Sequence, residues 1–487
     1  MNQSTAPALN ASVDSLQADF TRARVTYWDD YAGNFGKWAG FREYYRQRVN
    51  ELYRLLIPPG MRILELGCGD GDLLAHLSPS YGVGVDFSSG MLQFARQKYP
   101  SLRFETADAH SFDAREEFDF IILSDLVNDL WDVQRVLEIA ARHSHSGTRI
   151  IANFYSHLWQ GPRRLAEMIG MAKPQLTQNW LTAEDMNNLL DLAGLEVIRK
   201  SAEIMFPFRA AGFEKLFNRY LVKIWPFRWL GITNFIVARP RPKSNVQMPP
   251  VVSVIVPARN ESGNIRAIFD RVPHLGAGTE LIFVEGHSSD DTYQRIADEI
   301  AGRPGNNARL FRQTGKGKGD AVRLGFAKAS GDLLMILDAD LTVPPEDLPR
   351  FYQAWYSGTG EFINGVRLVY PMEKEAMRFF NLIGNKFFGQ AFTWLLGQNV
   401  KDTLCGTKVL SRKHYQIIAA NRAYFGEIDP FGDFDLLFGA ARYSLKIVDV
   451  PIRYRERKYG ETNIQRWRHG WLLLRMVALA SRRLRFI

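Results

Sequence analysis

MRILELGCGDGDLL (residues 61–74) runs an apolar stretch into three alternate glycines and then into leucines at helical spacing. A strand that ends in glycine can turn tightly and bring backbone N–H groups close to a ligand at the start of the next helix. The spacing Gly67, Gly69, Gly71 is tighter than the dinucleotide-binding GxGxxG, so an NAD-type domain is the alternative reading of the loop. Further apolar runs follow at YGVGVDF (81–87), FDFIILS (118–124) and TRIIANF (148–154), separated by helix-like stretches. This alternation predicts a doubly wound α/β domain on a parallel sheet. Asp86 closes the second run, nineteen residues beyond Gly67, where a carboxylate can accept both hydroxyls of a ribose. Asp108, in ETADAH (105–110), follows a third strand and suits an adenine amino group. Ser124 and Asp125 close a fourth.

A second set of βα signals starts at VVSVIVPARNESGNI (251–265), beyond a run of prolines and basic residues, ARPRPKSNVQMPP (238–250), that reads as an interdomain linker. ELIFVEGHSSDDT (280–292) places Glu285, His287 and Ser288 at a strand end. GKGKGDAVRLGFAKASGD (315–332) is a Gly/Lys loop entering a helix, fit to approach phosphates through lysines and N–H groups. DLLMILDADLTVPPEDL (332–348) ends a strand with Asp338 and Asp340. Two carboxylates with one residue between them suit a hard divalent cation, Mg or Mn, that also bridges a diphosphate.

The chain has 487 residues, 46% of them hydrophobic, enough for two or three cores and too many for a disordered chain. The net charge of +9 is concentrated: residues 451–487 hold ten Lys/Arg and two Asp/Glu, a surplus of eight that suits a polyanion or a membrane surface. Two cysteines, Cys68 and Cys405, fall in different predicted domains, which excludes a disulfide framework and points to a reducing cytosol. No signal-peptide run opens the chain, and the apolar candidates 216–238 and 471–480 are interrupted by Arg219, Lys223, Arg228 and Arg475, so no spanning helix is expected. No zinc spacing or base-reading basic helix suggests nucleic acid. Residues 1–40 read as a mobile leader with an aromatic helix around Tyr27, Trp28 and Tyr31.

ELGCGDG, VDFS and ADAH together resemble the class I S-adenosylmethionine-dependent methyltransferases over roughly residues 40–200. The resemblance implies a Rossmann-like domain (41–238) in which Gly67, Gly69 and Asp86 hold the cofactor and Glu65 orders the loop. Cys68, Gly71, Phe87, Asp108, Ala109, Ser124 and Asp125 complete the expected site. The methyl acceptor is not specified. His110, His143, His145 and His157 are candidate bases, though a lone His is more often packed or exposed, and Asn128 with Asp129 are candidates for the acceptor pocket.

The ordered motifs of the second half resemble the family-2, GT-A-fold inverting glycosyltransferases, most closely the polyprenyl- or dolichyl-phosphate sugar transferases, over residues 251–463. The resemblance implies that Pro257, Ala258, Arg259, Asn260, Glu261, Glu285, His287, Ser288 and Lys318 bind a nucleotide sugar. Asp338, Ala339 and Asp340 take metal and diphosphate. Arg367, Arg378, Asn385, Asp402, Arg457 and Thr462 bind an acceptor or its phosphate. Three positions depart from that pattern: Glu285-Gly286 stands for an Asp-Asp pair, Thr342 for a Gln, and Thr462-Asn463 for a Ser-Lys pair. A phosphate acceptor is already anionic and attacks without a base, whereas an alcohol needs a carboxylate, for which Asp433 and Asp435 are the candidates.

Arg468, Arg475 and Arg482 recur every seven residues among Trp471, Leu472, Leu474, Met476 and Leu479, the pattern of a basic amphipathic helix (464–487) on an anionic bilayer. Arg378, Asn381 and Asn385 share a helical face beside phenylalanines and suggest a second interfacial helix. The expectation is a bifunctional cytosolic enzyme at the inner membrane face. It would use S-adenosylmethionine, a nucleotide sugar, a divalent cation and a lipid-linked acceptor in glycolipid or surface-polysaccharide synthesis. A non-catalytic first domain, serving as a cofactor-binding scaffold, is the alternative.

Overall fold

Period-two burial within the strands sets the layers. In the first half, Leu64, Leu66, Ile121 and Leu123 enter one core, while Ile63, Phe120 and Ile122 enter another on the opposite face of the sheet. The same split recurs in the second half, with Ile255, Ile282 and Ile336 on one side and Val254, Phe283 and Met335 on the other. Side chains alternate across a strand, so a sheet with apolar residues on both faces must be covered on both. The computed structural model describes residues 6–33, 39–169, 176–242, 248–367, 369, 379–424, 432–457, 459 and 466–486. It divides into two compact units, Met1–Arg241 and Pro242–Ile487.

The first unit holds β1 (Arg62–Leu66), β2 (Tyr81–Asp86), β3 (Arg103–Thr106), β4 (Phe118–Ser124), β5 (Ser144–Tyr155), β6 (Leu195–Glu203) and β7 (Thr233–Pro240) in the order β3-β2-β1-β4-β5-β7-β6. The first five run parallel, but β7 is antiparallel to both β5 and β6, so the sheet is mixed rather than parallel as expected. The cause is local: β7 returns directly from the end of β6 without a crossover helix, and only an antiparallel strand can do that. Ala238, Arg239 and Pro240, read above as linker, pair with β5 and β6 instead. The leader is helical over Ala6–Gly33 and a second helix spans Ala39–Leu56, so what reads as a mobile segment is ordered from Ala6.

The second unit holds β8 (Val251–Ala258), β9 (Gly278–Glu285), β10 (Ala308–Arg312), β11 (Leu333–Ile336), β12 (Phe362–Val366), β13 (Lys408–Ser411) and β14 (Ile447–Pro451) in the order β10-β9-β8-β11-β13-β12-β14. β13 runs antiparallel between β11 and β12, and the other pairs are parallel.

A helix does occupy Arg466–Ala480, but Leu473, Met476 and Ala480 are buried in the core of the second unit, leaving Trp471, Leu474, Arg475 and Arg482 exposed. Much of the apolar stripe that would face a bilayer therefore packs on the protein. The helix Phe379–Leu396 likewise buries Phe388, Phe392, Leu395 and Leu396. Arg378, Thr462 and the side chains of Asn381, Asn385 and Arg468 lie outside the described residues.

Phe392 is fully buried against Phe434 at 5.2 Å and Phe438 at 5.6 Å between ring centroids. Phe392→Ala leaves a cavity that costs about 3–5 kcal/mol. Urea unfolding should show the transition of the second unit moved to lower denaturant and that of the first unaltered.

Candidate active sites

Each site lies where strand order reverses beside the first strand of its sheet, β1 between β2 and β4, and β8 between β9 and β11. After β1, Gly67, Gly69 and Gly71 all take positive φ, at +71°, +52° and +71°. The Gly67 and Cys68 amides donate to the Val85 carbonyl, and the Gly69 amide donates to Asp86 Oδ2 at 2.9 Å. The other oxygen of Asp86 accepts the Ser88 amide at 2.9 Å. Burial pushes the Asp86 carboxyl above its ordinary range, against the pull of those two amides.

Glu65 is buried on β1, and burial, reinforced by Asp70 and Asp86, holds its carboxyl well above the usual range. It accepts the Leu74 amide, which ties strand to helix across the glycine turn, while Oε2 has no hydrogen-bond partner. A buried carboxyl oxygen left open beside the loop fits a polar ligand. Cys68 is buried, with its thiol pushed well above the ordinary range by burial and by the nearby carboxylates, and so acts as a packed wall rather than a nucleophile. Ala109 is buried and Phe87 half-buried beside these residues.

Several expected roles do not survive the geometry. His110 Nδ1 lies 2.6 Å from Asp108 and its Nε2 accepts the Asp132 amide at 3.1 Å, so it is a clamp and not a base. Burial opposes the Asp108 charge, yet His110 holds the carboxyl below its usual range. His143 is buried and bonded to the Glu116 carbonyl, His145 to Asp119 and Gly147, and His157 to the Trp180 carbonyl. Asn128 is spent inside the fold, accepting the Tyr155 amide at 3.0 Å and donating to the Asn179 carbonyl at 2.6 Å. Asp129 is 3.8 Å from Arg24.

Asp125 accepts Tyr45 Oη at 2.8 Å and Asn153 Nδ2 at 2.6 Å, and Tyr53 donates to Asn153 Oδ1 at 2.8 Å, beside Ser124. Tyr45, Asn153, Arg46 and Asp29 were not singled out from the sequence. Arg46 binds Asp70 in the glycine turn at 2.7 Å, and Asp29, from the first helix, accepts Ser88 Oγ at 2.6 Å and the Gly90 amide at 3.0 Å. The segment before β1 thus holds the loop and covers the strand end carrying Asp86. No local motif marks these residues, because their partners lie 24 to 80 positions away.

In the second unit Asp338 and Asp340 follow β11. Lys318 Nζ, from the first turn of the helix Lys318–Lys328, is 2.6 Å from Asp338 Oδ1. Burial opposes the ammonium charge, and Asp338, Asp433 and Asp340 more than offset it, holding Lys318 above its ordinary range. A Cβ at Gly406 would collide with both members of this pair, so KDTLCGTK needs glycine there. Arg457 donates to Asp340 Oδ2 at 2.7 Å and lies 3.3 Å from Glu261 Oε1. Thr342, which stands where a Gln is expected, donates its amide and hydroxyl to Asp340 Oδ1 at 3.1 and 2.8 Å. Three carboxylates, Glu261, Asp338 and Asp340, meet two protein cations, Lys318 and Arg457. The remaining negative charge and hard oxygen donors fit a divalent cation with a diphosphate, although no cluster of three or more metal-ligating side chains occurs among the described residues.

The first loop is stapled to the end of β9: Asn260 takes φ +55°, its amide donates to Ser288 Oγ at 3.0 Å, and its Oδ1 accepts the Ser289 amide at 2.8 Å. Glu285 is buried, accepting the Ser288 amide at 2.5 Å and Arg312 Nε at 3.0 Å. His287 is exposed at φ +58°, and Pro257, Ala258 and Arg259 lead into this loop. Arg367 departs from its expected role, because its Nε and Nη2 bind Asp402 at 2.7 and 2.9 Å in a buried fork. Asp402 also accepts the Leu404 and Cys405 amides, so this pair is a strut rather than an open phosphate site. Asp435 faces Arg422 at 3.4 Å and Arg323 at 3.8 Å. Asp433 alone of the two acts on Lys318, and Gly432, at φ +76°, lets its helix abut Gly319.

Residues 38–200 match the family model described as a methyltransferase domain, and residues 253–418 match glycosyl transferase family 2. Among curated relatives, a dolichol-phosphate mannosyltransferase of Pyrococcus furiosus is 29% identical over 224 residues, 44% of this chain and 59% of its own length. An undecaprenyl-phosphate 4-deoxy-4-formamido-L-arabinose transferase of Aeromonas hydrophila is 33% identical over 220 residues, 44% of this chain and 62% of its own. The chain spans about six tenths of the length of these two relatives. A solved S-adenosylmethionine-dependent methyltransferase of Thermotoga maritima aligns at 16% identity, covering 44% of this chain and 98% of that one, with a TM-score of 0.35. The chain thus carries a methyltransferase domain followed by a family-2 glycosyltransferase domain, both of them transferase modules.

Burial, more than Arg457 and Asn264 can offset, raises the Glu261 carboxyl from 4.5 to about 7. The folded state then binds this proton more tightly than the unfolded chain, so stability falls as pH rises from 4.5 to about 7 and levels off above it. Glu261→Gln should remove that slope, and melting temperatures across the window should show the parent losing ground to the variant. Parallel curves would contradict it.

Proposed function

We propose that this chain is a bifunctional transferase. The first unit moves a methyl group from S-adenosylmethionine, and the second moves a sugar, with inversion, from a nucleotide sugar to a polyprenyl-phosphate or other lipid-linked acceptor. The observation that carries the second activity is the neutralised pair Asp338/Lys318 and Asp340/Arg457 at the end of β11. A diphosphate arriving there would find two cations able to turn from carboxylate to phosphate oxygens, and charge stabilisation at the leaving group is what such a transfer needs. Asp338 and Asp340 would hold Mg or Mn, which when bound would supply further positive charge to that leaving group. Asn260, Glu261, Glu285 and Ser288 shape the loop that would take the nucleotide. In the first unit Asp86 and the Gly67–Gly71 turn would take the cofactor's ribose and amino-acid ends, with Glu65 Oε2 as a further buried acceptor.

Support for a lipid-linked acceptor comes from the relatives named for dolichol and undecaprenyl phosphate. No described helix is long and apolar enough to cross a membrane, and a peripheral position at the inner face is the reading adopted here. A hydroxyl acceptor is the second reading, favoured because Arg367 is spent on Asp402. Asp433, whose charge acts on Lys318, would then be the base, in preference to Asp435, which two arginines hold.

Asp340→Asn should abolish sugar transfer and leave S-adenosylmethionine affinity unchanged, whereas Asp86→Ala should weaken that affinity by about 1.5–3 kcal/mol and spare sugar transfer. Calorimetry with S-adenosylmethionine and NAD, with radiolabelled transfer from a panel of nucleotide sugars to polyprenyl phosphate and polyprenol, reads both. Full sugar transfer by Asp340→Asn or in excess EDTA would refute the cation site, and NAD binding would refute the methyltransferase reading.

A further inference from the structure

The connection between β6 and β7 is built to keep apolar side chains in water. Helical turns at Phe213–Lys215, Leu216–Tyr220 and Leu221–Lys223 lead to a last turn at Phe227–Leu230, and every residue from Ile224 to Leu230 is exposed. Trp225 is 71% exposed, Phe213 62% and Trp229 59%. The segment is firmly held from beneath. Asn218 is buried, accepts the Met205 and Phe206 amides at 2.7 and 2.8 Å, and donates to Tyr44 Oη at 3.0 Å. Val222 is buried, and Lys223 pairs with Glu203 in the interior. A chain that anchors this segment so fully and still leaves two tryptophans and two phenylalanines outside carries an apolar face far beyond scattered surface residues.

A second segment extends the face. The Trp159 indole N–H donates to the Leu230 carbonyl at 3.2 Å, which joins the helix Gln160–Met168 and its flanks to this connection, and Leu158, Leu165, Met168 and Ile169 are exposed there. Both segments leave the carboxyl edge of the sheet, the edge that carries Asp86 and the glycine turn, because β5 and β6 run parallel to β1.

The charge around the aromatics has one sign. Arg209, Lys215, Arg219 and Arg228 are exposed among them. The acids are drawn inward or paired, Glu214 being buried on the Ala210 and Gly212 amides and Glu167 held by Arg163. Tryptophan and tyrosine beside arginine and lysine, with no facing acid, complement the headgroup layer of an anionic bilayer, where rings enter the acyl boundary and cations stay at the phosphates.

We propose that residues 206–230, with the helix Gln160–Met168, form a membrane-binding face of the methyltransferase unit that docks on anionic lipid with the carboxyl edge of the sheet toward the bilayer. The docking is argued from exposure and charge alone and does not depend on the identity of either acceptor. It places the membrane contact on the first unit, where the sequence pointed to the C-terminal helix.

The test is flotation of the full chain with vesicles of phosphatidylcholine containing phosphatidylglycerol, comparing the parent with Trp225→Ser/Phe227→Ser/Trp229→Ser and with Arg219→Gln/Arg228→Gln. All five positions are exposed, and unchanged melting temperatures would show that the fold is kept. The triple variant should partition about tenfold more weakly or worse, and the arginine variant should lose the advantage of phosphatidylglycerol over pure phosphatidylcholine and most of the salt dependence. In the parent, brominated lipid should quench tryptophan emission, and the quenching should fall in Trp225→Phe/Trp229→Phe. Partitioning of the triple variant within twofold of the parent would overturn the proposal. So would sedimentation showing a parent dimer that the triple variant dissociates, with no vesicle binding by either protein, because the face would then meet a second copy of the chain.

Discussion

A carboxylate at the end of a buried strand cannot be left alone, and most of the charged residues of the second unit are arranged by that constraint. Asp338 and Asp340 emerge from β11 into a partly buried site where an unpaired charge is costly. Lys318 and Arg457 answer them from distant parts of the chain, Glu261 is left partly protonated by burial, and Thr342 steadies the Asp340 carboxylate. The glycine at 406 follows from the same demand, since a side chain there would occupy the space of the Asp338–Lys318 pair.

The first unit meets a similar demand with backbone rather than cations. Asp86 is satisfied by the Gly69 and Ser88 amides, and Glu65 by the Leu74 amide with one oxygen left over. Positive-φ glycines let those amides turn inward, and the two helices before β1 brace the result through Arg46 and Asp29. A site built from amides and acids suits the hydroxyls and amino groups of a cofactor. A site built from paired acids and bases suits a diphosphate. The different chemistry proposed for the two units thus traces to how each neutralises its strand-end carboxylates.

Polar residues that sequence reasoning assigned to ligands often serve the fold. His110, Asn128 and Arg367 have the side chains that catalysis and recognition use, yet each is consumed by a partner that would otherwise be a buried unsatisfied group. The converse holds for the aromatic connection after β6. Its interrupting charges argued against a membrane span, while its exposure and one-sided charge describe a surface that lies on one.

Local pattern alone determined the two α/β units, the glycine turn with Asp86, and the strand end with Asp338 and Asp340. Strand alternation, glycine at a turn and carboxylates at a strand end are properties of a few adjacent residues. The structure decided what depends on meeting across the chain: the antiparallel β7 and β13, Lys318 and Arg457 as the cations of the paired acids, Arg367 as a strut on Asp402, the brace of Asp29 and Arg46, and the packing of the C-terminal helix through Leu473 and Met476. Whether an arginine faces a ligand or a buried aspartate, and whether a leucine faces a bilayer or a core, depends on partners that only folding brings within reach.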